Sequence, residues 1–128
     1  MGKAGSIFKS IWAVLAGFLT VVVLSILTDK ILESTGIFPP PQDGLFITWM
    51  LVLAFAYRSV YTVAGGYVTA LLAPQNKNTH VAVLGIIGTF AGIGGVIIGW
   101  NLSDHWYPIA LAATAYLFVW LGGKLYQK

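Results

Sequence analysis

The sequence predicts an all-α protein, an integral membrane bundle of four transmembrane helices joined by short loops, in one transmembrane domain over residues 1–128. Three observations lead there. Four apolar runs, at approximately residues 8–32, 45–73, 80–100 and 106–123, each reach the roughly 20 residues that a helix needs to cross a hydrocarbon core. Hydrophobic residues make up 58% of the chain and charged residues 9%, whereas soluble domains carry about a quarter charged residues. What lies between the runs is short and rich in proline, glycine and polar side chains, so no length remains for a soluble domain. Cysteine is absent, which excludes disulfides and thiolate chemistry.

Lys3 and Lys9 precede the first span, and no small-residue cleavage site follows it, so it reads as an uncleaved helix rather than a signal peptide. Asp29 lies near its outer end with apolar residues on both sides. Residues 33–44 hold three consecutive prolines, Pro39, Pro40 and Pro41, which cannot continue a helix and mark an extramembrane loop. Asp43 is placed to cap the second span.

The second span contains one charge, Arg58, near its middle. A guanidinium at that depth costs about 2.5–3.5 kcal/mol on insertion scales and so faces protein, water or a ligand. Thr62, Gly65 and Thr69 follow on the same helical face, with Gly66 beside them. A polar turn at residues 74–78 leads to Thr79, expected to cap the third span. There Gly85, Gly88, Gly92, Gly95 and Gly99 recur at spacings of three, four, three and four, which keeps them on one stripe. Helices in lipid associate through close backbone approach, so this stripe is expected to form the tightest packing seam of the molecule. Gly94 lies off it. Residues 101–105 form a tight connection, and Pro108 suits the first turn of the fourth span.

Basic residues in short flanks orient the helices. Lys3, Lys9, Lys77, Lys124 and Lys128 fall on one side, Lys30 alone on the other, so both termini are expected to be cytoplasmic and the protein to be a multi-pass membrane protein. Trp49, Trp100, Trp106 and Tyr107 then form an outer aromatic belt, and Trp12, Trp120 and Tyr126 an inner one.

Candidate chemistry centres on Arg58, with Asp29, Tyr61 and Thr62 as its possible partners. Counted from Gly44, Arg58 lies roughly 22 Å below the outer surface at 1.5 Å per residue. A direct pair with Asp29 therefore calls for helix tilt or a deeper first span. His80 and His105 fall on opposite faces and cannot share a metal. Asp29, Glu33, Asp104 and His105 could gather at the outer surface, where a solvated acidic rim is the simpler reading, since hard-cation sites need six or more oxygens. No metal site, cofactor or nucleic-acid partner is expected. No nucleophile elbow, phosphate-cradling loop or intramembrane carboxylate pair is present, so an enzyme is not expected.

TD at Thr28 and Asp29, FPPP ending at Pro41, AYR ending at Arg58, GGYVTALLAP ending at Pro74, HWYP ending at Pro108 and LGGKL ending at Leu125 together cover nearly the whole chain. In these motifs the chain resembles a family of small four-span bacterial membrane proteins usually recorded as hypothetical or uncharacterised. The resemblance implies a four-helix bacterial membrane protein and carries no catalytic residue over. Two functions follow as expectations. The first is a non-enzymatic structural or accessory subunit that packs with a second copy or a membrane-complex partner through the glycine-lined helix, the lipid bilayer being its surroundings. The second is a small oligomeric transporter or channel with Arg58 in the substrate or ion path.

Overall fold

The computed structural model describes residues 2–127. Four helices, α1 (Gly2–Ser34), α2 (Thr48–Leu72), α3 (Lys77–Ile98) and α4 (Trp106–Gln127), account for most of the chain, with a 3-10 turn at Pro41–Asp43 between the first two. All four are long and apolar enough to cross a membrane, and the described residues contain no strand, so the protein is a multi-pass, all-α bundle. Lys128, counted above among the inner lysines, lies outside the described residues.

Two helix starts differ from expectation. Asp43 does not cap α2. It closes the 3-10 turn that Pro41 opens, after which Gly44, at φ 74°, and extended Ile47 carry the chain to Thr48. Thr79 does not cap α3, because Asn76 adopts the left-handed conformation and starts the helix at Lys77. Asparagine tolerates that region better than most residues. Lys77 then reaches back, its Nζ donating to the carbonyls of Ala70 and Ala73 at 2.7 and 3.1 Å. These carbonyls belong to the last turn of α2, which has no intrahelical donors left for them.

α1 packs along α2, α2 along α4 and α4 along α3, whereas α1 and α3 meet only sparsely. The closest approaches lie in the first two seams. Between α2 and α4, Gly66 rests on the Val119 carbonyl, and Gly122 rests on the backbone of Val63 and Tyr67, where a Cβ would stand 2.7 Å from the Tyr67 nitrogen. Between α1 and α2, Gly17 faces Gly65, and a Cβ on either would stand 2.7–2.8 Å from the other's carbonyl oxygen. Thr69 Oγ1 donates to the Ala13 carbonyl beside them at 2.8 Å, a buried interhelical hydrogen bond of the kind that ties helices in lipid.

The α3 glycines do not form the tightest seam, and they do not form a single seam. Gly85 packs against the Tyr116 ring, Gly88 is in ordinary contact with Ala115, and Gly92 lies against Ala112, but around a Cβ at Gly95 there is nothing within 4 Å, and Gly99 meets only its own helix. A 3.5-residue repeat drifts by about 20° per heptad on a straight helix. Two heptads carry the stripe off its partner.

The core lies in the half of the bundle nearer the chain ends, where buried Ala70, Val81, Leu84 and Val119 are covered by Val14, Phe18 and Tyr126. Hydrogen bonds between Ser10 and His80, 2.7 Å, and from Gln127 to Asn78, 2.8 Å, close that end. At the opposite end Leu45 N donates to Leu102 O at 2.6 Å and clasps the two remaining loops together. The side chains turned outward are apolar, with Phe90, Ile97 and Ile98 at least 70% exposed, as a lipid solvent permits.

Candidate functional site

Above the core, in the half closed by the clasped loops, the helices surround a cavity of about 490 Å³. Its floor is Phe18, Leu84 and Val119 from the edge of the core. α1 contributes Val22, Ser25, Asp29 and Glu33, a stripe with the spacing of one helical face. α2 contributes Ala54, Tyr57, Arg58 and Thr62, and α4 contributes Tyr107, Leu111 and Ala115. The fourth wall is the outer part of the glycine stripe, Gly88, Gly92, Gly95 and Gly99, with Ala91. Where side chains would have filled the space between α1 and α3, glycine leaves it open. Phe38 to Pro41, Leu45 and Ser103 lie over the top. Ala91 and Gly95 are exposed as well as cavity-lining, so the cavity opens sideways between α1 and α3.

Arg58 and Asp29 form an ion pair in this wall, Arg58 Nη2 donating to Asp29 Oδ2 while Tyr57 Oη donates to Asp29 Oδ1. Both carboxylate oxygens are thereby engaged. The two charged side chains keep 31% and 24% of their surface accessible. Arg58 Nε is buried without a partner among the described residues. The depth argument against the pair fails because α2 starts at Thr48 rather than Gly44, which raises Arg58 by about 6 Å, and because α1 continues to Ser34, which sets Asp29 about 7 Å inside its end.

Other expected neighbours take different roles. Tyr61 does not touch Arg58. Thr28 Oγ1 donates to the Leu24 carbonyl, which leaves Tyr61 Oη to donate to Thr28 at 2.7 Å and fasten α2 to α1. Thr62 donates to the backbone carbonyl of Arg58, 2.7 Å, and lines the cavity. Gly65 and Gly66 belong to the seams below. Tyr107, assigned above to the lipid interface, is half-buried in the cavity wall near Arg58. His105 stacks on Trp100 with centroids 3.5 Å apart, and no group of three or more His, Asp or Glu side chains converges among the described residues.

Sequence reasoning missed Tyr57, Tyr107, Ser25 and Phe18. For Ser25 a signal existed, since it stands four residues before Asp29 and eight before Glu33. A second cavity of about 500 Å³, almost wholly apolar, runs along the halves of α1 and α3 nearer the chain ends, between Ile11, Leu15, Val83 and Ile87, and Phe18 borders both spaces.

The arrangement offers a mostly apolar enclosure with a few converging polar groups at one level, the usual make-up of a small-molecule site. Compared with known proteins, the chain matches no family model, no curated protein and no solved structure.

Proposed function

We propose that the chain is a bacterial inner-membrane protein with cytoplasmic termini that holds a small amphipathic molecule in this cavity, as the binding element of a transporter. The observation that carries the reading is the place of the Asp29–Arg58 pair, in the wall of an open cavity of about 490 Å³ instead of in a closed helix seam. Ionisable groups inside membranes are costly, and those that face a cavity mark ligand and ion paths. The volume falls within the roughly 300–1,000 Å³ of small-molecule pockets. A core seals the cavity from below, which favours a carrier, open to one face at a time, over a channel, which needs a continuous path. The lysine distribution supports placing the cavity in the outer half of the membrane, with its opening sideways between α1 and α3.

Because the chain has no cysteine, the test is direct. A membrane-permeant thiol reagent should modify Ser25→Cys in the cavity and spare Ala70→Cys in the core. Equal protection of the two would remove the open cavity and with it this function.

A second reading, an accessory subunit seated through α3, is favoured by the empty space around Gly94 and Gly95. It predicts that Gly94→Cys yields a disulfide-linked species in native membranes. Absence of that species would remove this second reading.

A further inference from the structure

The charges lining the cavity do not cancel. Asp29 and Arg58 neutralise each other, and both Asp29 oxygens are occupied. Glu33 stands one turn further out on the same face of α1, half-buried and lining the cavity, its carboxylate with no hydrogen-bond or ion-pair partner among the described residues. Lys30, the nearest cation in sequence, is exposed and does not line the cavity. The enclosed formal charge is therefore −1. The same sign extends over the whole outer end, where the four acids of the chain, Asp29, Glu33, Asp43 and Asp104, face only Arg58 and Lys30. A mouth of one charge sign concentrates ligands of the opposite sign. Tyr57 and Tyr107 line the cavity at that level, the centroid of the Tyr57 ring lying 6.0 Å from the Arg58 guanidinium, and an organic cation is attracted to aromatic rings when it leaves water.

Resting on the reading of this cavity as a ligand site, we infer that its ligand is a cationic amphiphile. A protonated amine or quaternary ammonium lies between Glu33 and the two tyrosines, and a single apolar body extends down between the α3 glycines and Phe18. An anionic head group would meet Glu33 and a guanidinium whose charge Asp29 already balances, leaving it only Arg58 Nε, unpartnered among the described residues, as a donor. A bare divalent cation would find one free carboxylate where hard cations take about six to eight oxygens.

The experiment uses the full chain in phosphatidylcholine nanodiscs and three ten-carbon probes, decyltrimethylammonium, decanol and decanoate. Binding is measured against empty discs and against Gly95→Leu, whose new side chain has room at Cβ and fills the enclosure without displacing a neighbour. The ammonium should bind at least about tenfold more tightly than the alcohol, a gap of one charged contact. Glu33→Gln should bring the two within about twofold, and Gly95→Leu should abolish both. Equal binding of all three probes, lost in Gly95→Leu, overturns the charge inference and leaves the cavity as an amphiphile site. Preference for decanoate, or an ammonium preference unchanged in Glu33→Gln, overturns it as well. Binding of no probe above empty discs removes the ligand site itself.

Discussion

Asp29 on α1 accepts from both Arg58 and Tyr57 of α2, so three side chains act as one unit. Removing the cation alone leaves a carboxylate in a site of low polarity. Breaking a buried pair this way costs about 3–5 kcal/mol, and partial exposure places Arg58→Ala toward the lower end or below, at about 1–3 kcal/mol. Thermal unfolding of Arg58→Ala, Asp29→Ala and the double variant should show a coupling of about 0.5–3 kcal/mol, the double being less damaging than the sum. Additive losses would show that the two charges are energetically independent. The cation could be read from the sequence, because a lone arginine in thirty apolar positions has no inexpensive explanation. Its acid was named but misplaced in depth, since helix ends set by proline and loop geometry do not follow the edges of apolar runs. Tyr57 and Tyr107 went unread because a tyrosine near a span end looks the same whether it faces lipid head groups or a cavity.

At the level of the element, the α3 stripe changes role along its length. Gly92→Leu drives a side chain into the Ala112 backbone, 2.8 Å from where its Cβ would stand, and should cost about 1–3 kcal/mol. Gly95→Leu meets open space, and because leucine is the better helix former by nearly 1 kcal/mol, it should be neutral or stabilising. Midpoints of unfolding in detergent separate these outcomes, and equal losses at both positions would restore the single-seam reading. The most sensitive position belongs to another helix. Gly122→Ala forces a Cβ onto the Val63 carbonyl and the Tyr67 amide, backbone that cannot swing aside, whereas at Gly85 the neighbour is the ring of half-exposed Tyr116. Gly122→Ala should therefore unfold at lower temperature than Gly85→Ala. Spacing revealed the stripe but not the closest seams, because Gly17 and Gly66 follow no repeat within their own helices and become seams only when two helices meet.

For the molecule as a whole, the number of helices and the grouping of their ends follow directly from apolar length and from the proline-rich and polar interruptions. The cavity does not, because it arises where α1 and α3 meet only sparsely. If the lysine count sets the orientation, Gln42→Cys should react with an impermeant thiol reagent in intact cells and Gln75→Cys only after permeabilisation, and the reverse pattern would invert the molecule. Phe18 has a further consequence, since one aromatic ring stands between the outer cavity and the apolar space of the inner half. Such a ring works as a ruler. In a homologous series of alkyltrimethylammonium ions, each added methylene should raise affinity by about 0.8 kcal/mol while the tail still has cavity to enter, and the gain should stop at the length that reaches the ring. If the proposed cationic amphiphile is the ligand, Phe18→Ala should shift that break to longer chains, and the carbon number at which the series levels off would give its upper size.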